Sequence, residues 1–149
     1  MGKLSDFLHP VRQDETQEII VSDRFVQHGD DGAVVLDEKG TPIPAPFIIR
    51  PVSEEMNAAI RKGCTRSHRD RSGMLVQDFD VNAYTARIVI AGTVEPDFAA
   101  AEMCSAYGVI NPEDVPRKML YSGEYRRLSD AIMDLSGFGD DIQEEAKNS

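Results

Sequence analysis

Tryptophan is absent, and six Phe and four Tyr are all the aromatic residues in 149. Large aromatic anchor sites are therefore scarce. Cysteine is limited to Cys64 and Cys104, with no CxxC and no His at ligand spacing. That excludes a disulfide-stapled scaffold and argues for a reduced, cytoplasmic setting. No segment approaches the roughly 20 apolar residues of a membrane-spanning helix. The opening MGKLSDFLHP is too polar for a signal peptide, and Asp6 stands where a myristoylation motif requires Ser or Thr. No GxSxG, phosphate-binding loop, GxGxxG or calcium-loop pattern occurs. His9, His28 and His68 fall in polar or loop settings, so no metal or cofactor is expected. The carboxylate pairs Asp30-Asp31, Glu54-Glu55, Asp140-Asp141 and Glu144-Glu145 occupy a turn, a helix start and the chain end. Solvated carboxylates normally sit there, whereas a catalytic pair needs a water-poor cleft.

What is present is charge. The chain carries a net −10, a surface that repels phosphate backbones and anionic membranes. One stretch runs against it. Residues 61–71 carry Arg61, Lys62, Arg66, Arg69 and Arg71 against Asp70, a net +4 that leaves −14 on the rest. This segment reads as an exposed loop. It suits an acidic partner or a neighbouring copy of the chain. A nucleic-acid module is the other reading, although the interleaved aromatics that such modules use are missing. Cys64 lies among these cations, which would favour its thiolate, so a Cys64-dependent enzyme is a further alternative.

The N-terminal third reads as β. Leu4, Phe7 and Leu8 suit a short amphipathic turn, limited by Pro10. Glu18 to Val26 reads as a strand, Gly29-Asp30-Asp31-Gly32 as a turn, and Ala33 to Leu36 as a second strand. Asp37-Glu38-Lys39-Gly40 predicts a hairpin turn with Gly40 left-handed. The returning arm holds Pro42, Pro44 and Pro46, which delete donors along one edge, so it should be an edge strand that pairs on one side only, or polyproline-like until Phe47. Phe47 to Val52 closes the β region. No internal repeat is read.

Helix signals follow. Ser53 caps a helix with Met56, Ala59 and Ile60 inward and Gly63 as its stop. Asp78 or Asp80 caps a second helix running to about Thr93, with Val81, Tyr84, Thr85, Ile88 and Val89 on one face. Pro96 breaks it. Asp97 caps a third, Phe98 to Tyr107, ended by Gly108. Asn111-Pro112 starts a fourth, with Val115, Met119 and Leu120 inward. Ser122 caps the last, whose Tyr125, Leu128, Ala131, Ile132 and Leu135 repeat at three and four residues. Gly137 and Phe138 form its Schellman ending. The reading is an α+β fold: a small N-terminal β hairpin or sheet followed by a compact bundle of about five short helices. It forms one domain over residues 1–139 with a frayed acidic tail at 140–149.

The stretch IVIAGTVEPDF at 88–98, followed by AAAEMCSAYGVINPEDVPRKMLYSGEYRRLSDAIMDLSGF, resembles the XkdN-like phage tail assembly chaperones. The shared features are a VEPDF turn, a YGV helix end, a KML-x-x-GEY segment and a closing helix ending in GF. VSDRF and PFIIRPVSEEMNAAIRK match in order and character, so the resemblance covers roughly residues 4–139. It implies a non-enzymatic protein of phage or prophage tail modules. Such a protein works in the host cytoplasm and is not part of the mature virion. Its implied partner is the tape measure protein, a long, helical, partly apolar chain that it keeps soluble, with the tail tube protein and self-association as further expectations. Contact with that partner is expected from the C-terminal helices and the Glu95–Phe98 surface, specifically Glu95, Phe98, Tyr107, Glu124 and Tyr125.

Overall fold

The helix starts and stops written in the sequence are largely those the chain uses. The computed structural model describes residues 3–12 and 15–138. Its elements are α1 (Ser5–Leu8), β1 (Gln17–Ile19), β2 (Phe47–Ile49), α2 (Glu54–Gly63), β3 (Thr65–Arg69), β4 (Leu75–Phe79), α3 (Val81–Gly92), β5 (Thr93–Glu95), α4 (Ala101–Ala106), α5 (Asp114–Met119) and α6 (Ser122–Leu135). The fold is α+β, with small antiparallel sheets and six helices among the described residues. The acidic end expected at 140–149 lies outside them.

Ser53 caps α2 by accepting the Met56 N–H at 3.2 Å, and Asp80 caps α3 by accepting that of Ala83 at 3.0 Å. At the end of α6, Phe138 N–H donates to Met133 O (3.0 Å) and Gly137 N–H to Asp134 O (3.1 Å), with Gly137 at φ 92. These are the two bonds of a Schellman motif, and the glycine is needed because the left-handed conformation penalises a Cβ. Three helix boundaries move. Asp97 caps only a turn, through Ala99 N–H at 3.0 Å, and α4 begins at Ala101 instead of Phe98. Asn111 likewise holds a turn through Glu113 N–H (3.0 Å), and α5 begins at Asp114. Tyr121, not Ser122, is the residue before α6, its N–H held by the Glu124 carboxylate at 2.8 Å. On α2 the inner face takes Asn57 in place of the exposed Ala59. Val81 is likewise exposed, and Ala86 is buried in α3.

The β region differs more. The strand expected over 18–26 joins this sheet only at β1, while Phe25 and Val26 pair with the proline arm, and α3 stops at Gly92, after which β5 joins the sheet. The order is β1-β2-β5, all antiparallel, with Glu18 opposite Ile48 and Ile49 opposite Thr93. The short turn expected around Leu4, Phe7 and Leu8 forms as α1, and none of its residues is buried.

Residues 25–45 form a closed three-armed knob. Gln27 N–H donates to Ile43 O (2.8 Å), Ile43 N–H to Val35 O (3.1 Å) and Val35 N–H to Gln27 O (2.9 Å), a ring of residues eight apart. The next bonds repeat the spacing: Gly29 to Ala33 O (2.9 Å), Asp37 to Thr41 O (2.9 Å) and Ala45 to Phe25 O (2.7 Å). Bridges His28–Val34, Leu36–Pro42 and Val26–Pro44 repeat it a third time. An eight-residue geometric repeat is therefore present where no sequence repeat was read. Its chemical demand is slight, a glycine at Gly32 (φ 80) and Gly40 (φ 79), so the arms share little else. The proline arm also pairs on both sides. It meets the 33–37 arm through Ile43 N–H and the 25–27 arm through Ile43 O, while its prolines occupy positions whose donors the ring does not use.

Residues 61–73, expected as a loop, hold the end of α2, strand β3 and a turn. β3 and β4 form a two-stranded hairpin, in register from Thr65–Phe79 to Arg69–Leu75. Its turn copies the other two: Gly73 N–H donates to Asp70 O (3.0 Å), Asp70 N–H to Met74 O (2.9 Å), and Gly73 sits at φ 84.

The core lies between the three-stranded sheet and the helices, built from Val21, Phe47, Ile49, Ile88, Val89, Phe98, Val115, Leu128 and Ile132. α6 is the strut to which the β layer is tied. Arg127 donates to Val21 O, Val52 N–H to Ser136 Oγ at 2.8 Å, and Arg24 to Glu124 and to Met119 O at 2.9 Å.

Candidate docking site

The α2–α3 pair, with Ala99 just after the VEPDF turn and residues 111–113, builds an apolar concavity. Met56 and Ile60 are four apart on α2. Arg87, Ile90 and Ala91 are three and four apart on α3. Each set therefore makes one stripe along its helix. The stripes face a shared groove of about 470 Å³, walled at its other side by Ala99 and by Asn111, Pro112 and Glu113. Met56, Ile60, Ile90, Ala91 and Pro112 are half-buried, so their apolar area is only partly covered. The groove's charges are already matched: Arg87 Nε lies 2.7 Å from Glu113 Oε1, a bond that raises the Arg87 pKa. Met56 also lines an adjoining hollow with Arg50, Pro51, Ser53 and Val94, which leads to the β5 edge.

The five residues singled out in the sequence do not converge. Phe98 is 1% exposed and belongs to the core. Its burial anchors the turn that sets Ala99 in the groove wall. Glu95 is exposed at the end of β5, next to Val94. Glu124 is 8% exposed and grips Arg24 through two bonds, Nη2–Oε1 at 2.5 Å and Nε–Oε2 at 3.1 Å. Those bonds hold its carboxyl well below the usual range, at about 2. Tyr107 lies near Arg24, whose guanidinium also covers the Tyr121 ring at 4.0 Å. Tyr125 sits elsewhere, lining a hollow with Asn82, Thr85 and Arg117, and burial pushes its hydroxyl pKa up. The groove was missed because its residues come from four segments. Only the Met56/Ile60 stripe was legible, and it was read as core.

Cys64 is buried and Cys104 half-buried, both as free thiols. Cys64 lies under the α2–β3 junction, while Arg61, Lys62 and Arg66 are exposed around it. Among the described residues no group of three or more His, Cys, Asp or Glu is placed to hold a metal ion. None of the described helices is long and apolar enough to cross a membrane.

The groove is half-open and apolar, and its one cation is paired within the chain. The model of the phage XkdN-like tail assembly chaperone family matches residues 4–148, and the chain belongs to that family. It is 33% identical over 148 residues to the phage-like element PBSX protein XkdN of Bacillus subtilis strain 168, covering 95% of this chain and 92% of that one. It is 30% identical over 138 residues to YqbN of the same organism, covering 90% and 85%. The crystal structure of the protein YqbN superposes with a TM-score of 0.64 at 25% identity, over 93% of this chain and 98% of that one.

Proposed function

We propose that this protein is a chaperone for the phage tape measure protein, acting in the host cytoplasm by binding alone and assisting tail tube assembly. The α2–α3 groove takes an apolar stripe of a tape measure helix. Knobs three and four residues apart on that helix fit between the Met56/Ile60 and Ile90/Ala91 stripes, as in other helix-in-groove complexes. Glu95, Tyr107 and Tyr125 keep solvent access and serve as outer contacts. Phe98 and Glu124 act from beneath, by fixing the turn and the α6 start. The observation that carries this reading is the apolar lining of the groove beside a self-neutralised ion pair. Such a surface leaves no unpaired charge to bury when a neutral helix docks. The excess negative charge faces outward and keeps the covered assembly in solution.

The test is co-expression with the tape measure protein encoded beside this gene. The wild type should keep that protein soluble and co-elute with it. Ile60→Asp and Ile90→Asp, with circular dichroism unchanged, should abolish co-elution. Undiminished co-elution of the folded variants, or none with the wild type, overturns the groove reading.

A further inference from the structure

The lining of the α2–α3 groove is apolar except for Arg87, Asn111 and Glu113. Arg87 holds Glu113 by one bond, Nε–Oε1 at 2.7 Å. A guanidinium carries five N–H donors and a carboxylate two acceptor oxygens. The pair is therefore balanced in charge, yet most of its hydrogen-bonding capacity is unused. Among the described residues, no other protein group bonds the Arg87 Nη atoms or Glu113 Oε2. Both side chains are half-buried, and neither has a buried polar atom without a partner, so the unused donors and the second oxygen still touch solvent. The guanidinium is also held in position. It packs on the end of α2, where a Cβ at Gly63 would lie 2.6 Å from Arg87 Nη1. Contact with Gly63 and the bond to Glu113 fix it at two points.

A helix that covers the groove expels that solvent. An unbroken apolar stripe would leave charged donors and an acceptor unmet, and each such group carries its full desolvation cost. A charged side chain would unbalance the pair. A primary amide does neither. Its C=O accepts from an Arg87 Nη–H, its NH₂ donates to Glu113 Oε2, and it brings no charge.

We propose that Arg87 and Glu113 read a glutamine or asparagine set within the apolar stripe of the docking helix. The amide fixes the register of that helix in the groove, as one buried asparagine fixes the register of a coiled coil. This rests on the groove reading above and adds the residue pattern of the client: apolar knobs three and four apart, interrupted by one amide.

The test uses the full chain and three amphipathic helical peptides of about 18 residues, long enough to hold a helix. They share one leucine stripe and differ at its centre, which is Gln, Met or Glu. Fluorescence anisotropy gives each dissociation constant. The Gln peptide should bind about tenfold tighter than the Met and Glu peptides, the range expected for hydrogen bonds to charged groups. In Arg87→Met with Glu113→Leu, the groove is apolar throughout and the order should reverse, with the Met peptide the tighter. Circular dichroism checks that this variant folds; if it does not, the wild-type series decides alone. Equal or tighter wild-type binding of the Met peptide overturns the proposal, as does an unchanged order in the folded double variant. Ile60→Asp separates the two readings. If it abolishes binding of all three peptides while the wild type shows no preference for Gln, the groove stands and only the amide reading falls. If no peptide binds, or binding survives Ile60→Asp, both fall.

Discussion

Arg24 and Glu124, a hundred residues apart, meet in a two-pronged ion pair with Nη2–Oε1 at 2.5 Å and Nε–Oε2 at 3.1 Å. The pair joins the segment leading into the knob to the first turn of α6. Glu124 also accepts the Tyr121 N–H, so one carboxylate serves as helix cap and inter-element clasp. Its pKa is lowered from 4.5 to about 2. A carboxyl depressed on folding stabilises the native state above its unfolded pKa, and that contribution is lost as pH falls through the folded value. The melting temperature should therefore decline between about pH 4.5 and 2. Glu124→Gln should melt several degrees lower at pH 7, with the gap to wild type closing as pH approaches 2. A gap constant with pH would show that the carboxylate charge contributes nothing.

Tyr84 and Asn57 make a second clasp, between α3 and α2. The Tyr84 hydroxyl donates to Asn57 Oδ1, with both side chains buried. Burial raises the Tyr84 pKa, so the phenol stays a donor. Tyr84→Phe keeps the ring against Phe79, at 5.4 Å between centroids, but leaves a buried amide oxygen without its donor. The expected loss is about 1–3 kcal/mol. Urea melts should show Asn57→Leu in the Tyr84→Phe background recovering part of it, because removing both polar partners together spares the unmet group.

Cap chemistry made most helices legible, because one side chain and one glycine decide a helix end locally. The hairpin was not legible, although DRSG at 70–73 and DEKG at 37–40 fold the same way. The difference lay in the flanks. Asp37 follows the apolar AVVL, whereas Asp70 follows TRSHR, which gives no period-two signal. β5 was hidden by its partner: Thr93–Glu95 is a strand only because β2, more than forty residues earlier, offers an edge. Phe98 and Glu124 were recognised as important without their roles being visible. Whether such a residue faces a partner or the interior depends on packing from distant segments.

The hairpin turn offers a local test. The Asp70 carboxylate accepts from Ser72 N (2.9 Å), Ser72 Oγ (2.6 Å) and Met74 N (3.0 Å), which lowers its pKa, and Gly73 takes the left-handed conformation. Gly73→Val should disfavour that conformation by about 1–2 kcal/mol. Because the strands bury little, the penalty falls on local opening. Amide exchange at His68 and Val76, a hydrogen-bonded pair of the hairpin, should accelerate while the global melting temperature stays within a degree or two.

In the core, α3 and α6 approach closely at Gly92. A Cβ built there would fall inside contact distance of Ile132 Cγ2 and lie 3.0–3.1 Å from its Cδ1 and Cγ1. Gly92 is also the last helical residue before β5, and its carbonyl accepts the Arg50 N–H at 2.8 Å. The glycine is thus required by proximity, with the sheet fastened to the same peptide. Gly92→Ala gains helix propensity of about 1 kcal/mol, but overpacking in a filled core costs about 1–3 kcal/mol. Ile132 is fully buried and cannot swing into solvent, so the second effect should win and the variant should be less stable in denaturant. Ile132→Ala alone should cost about 2–5 kcal/mol through the lost side-chain atoms and the cavity they leave. In the Gly92→Ala background it should cost less, because it removes Cγ2 together with Cγ1 and Cδ1, the atoms that a Cβ at position 92 would meet. Strict additivity of the two changes would mean that the helices part freely at this crossing, and Ala should then be tolerated at position 92.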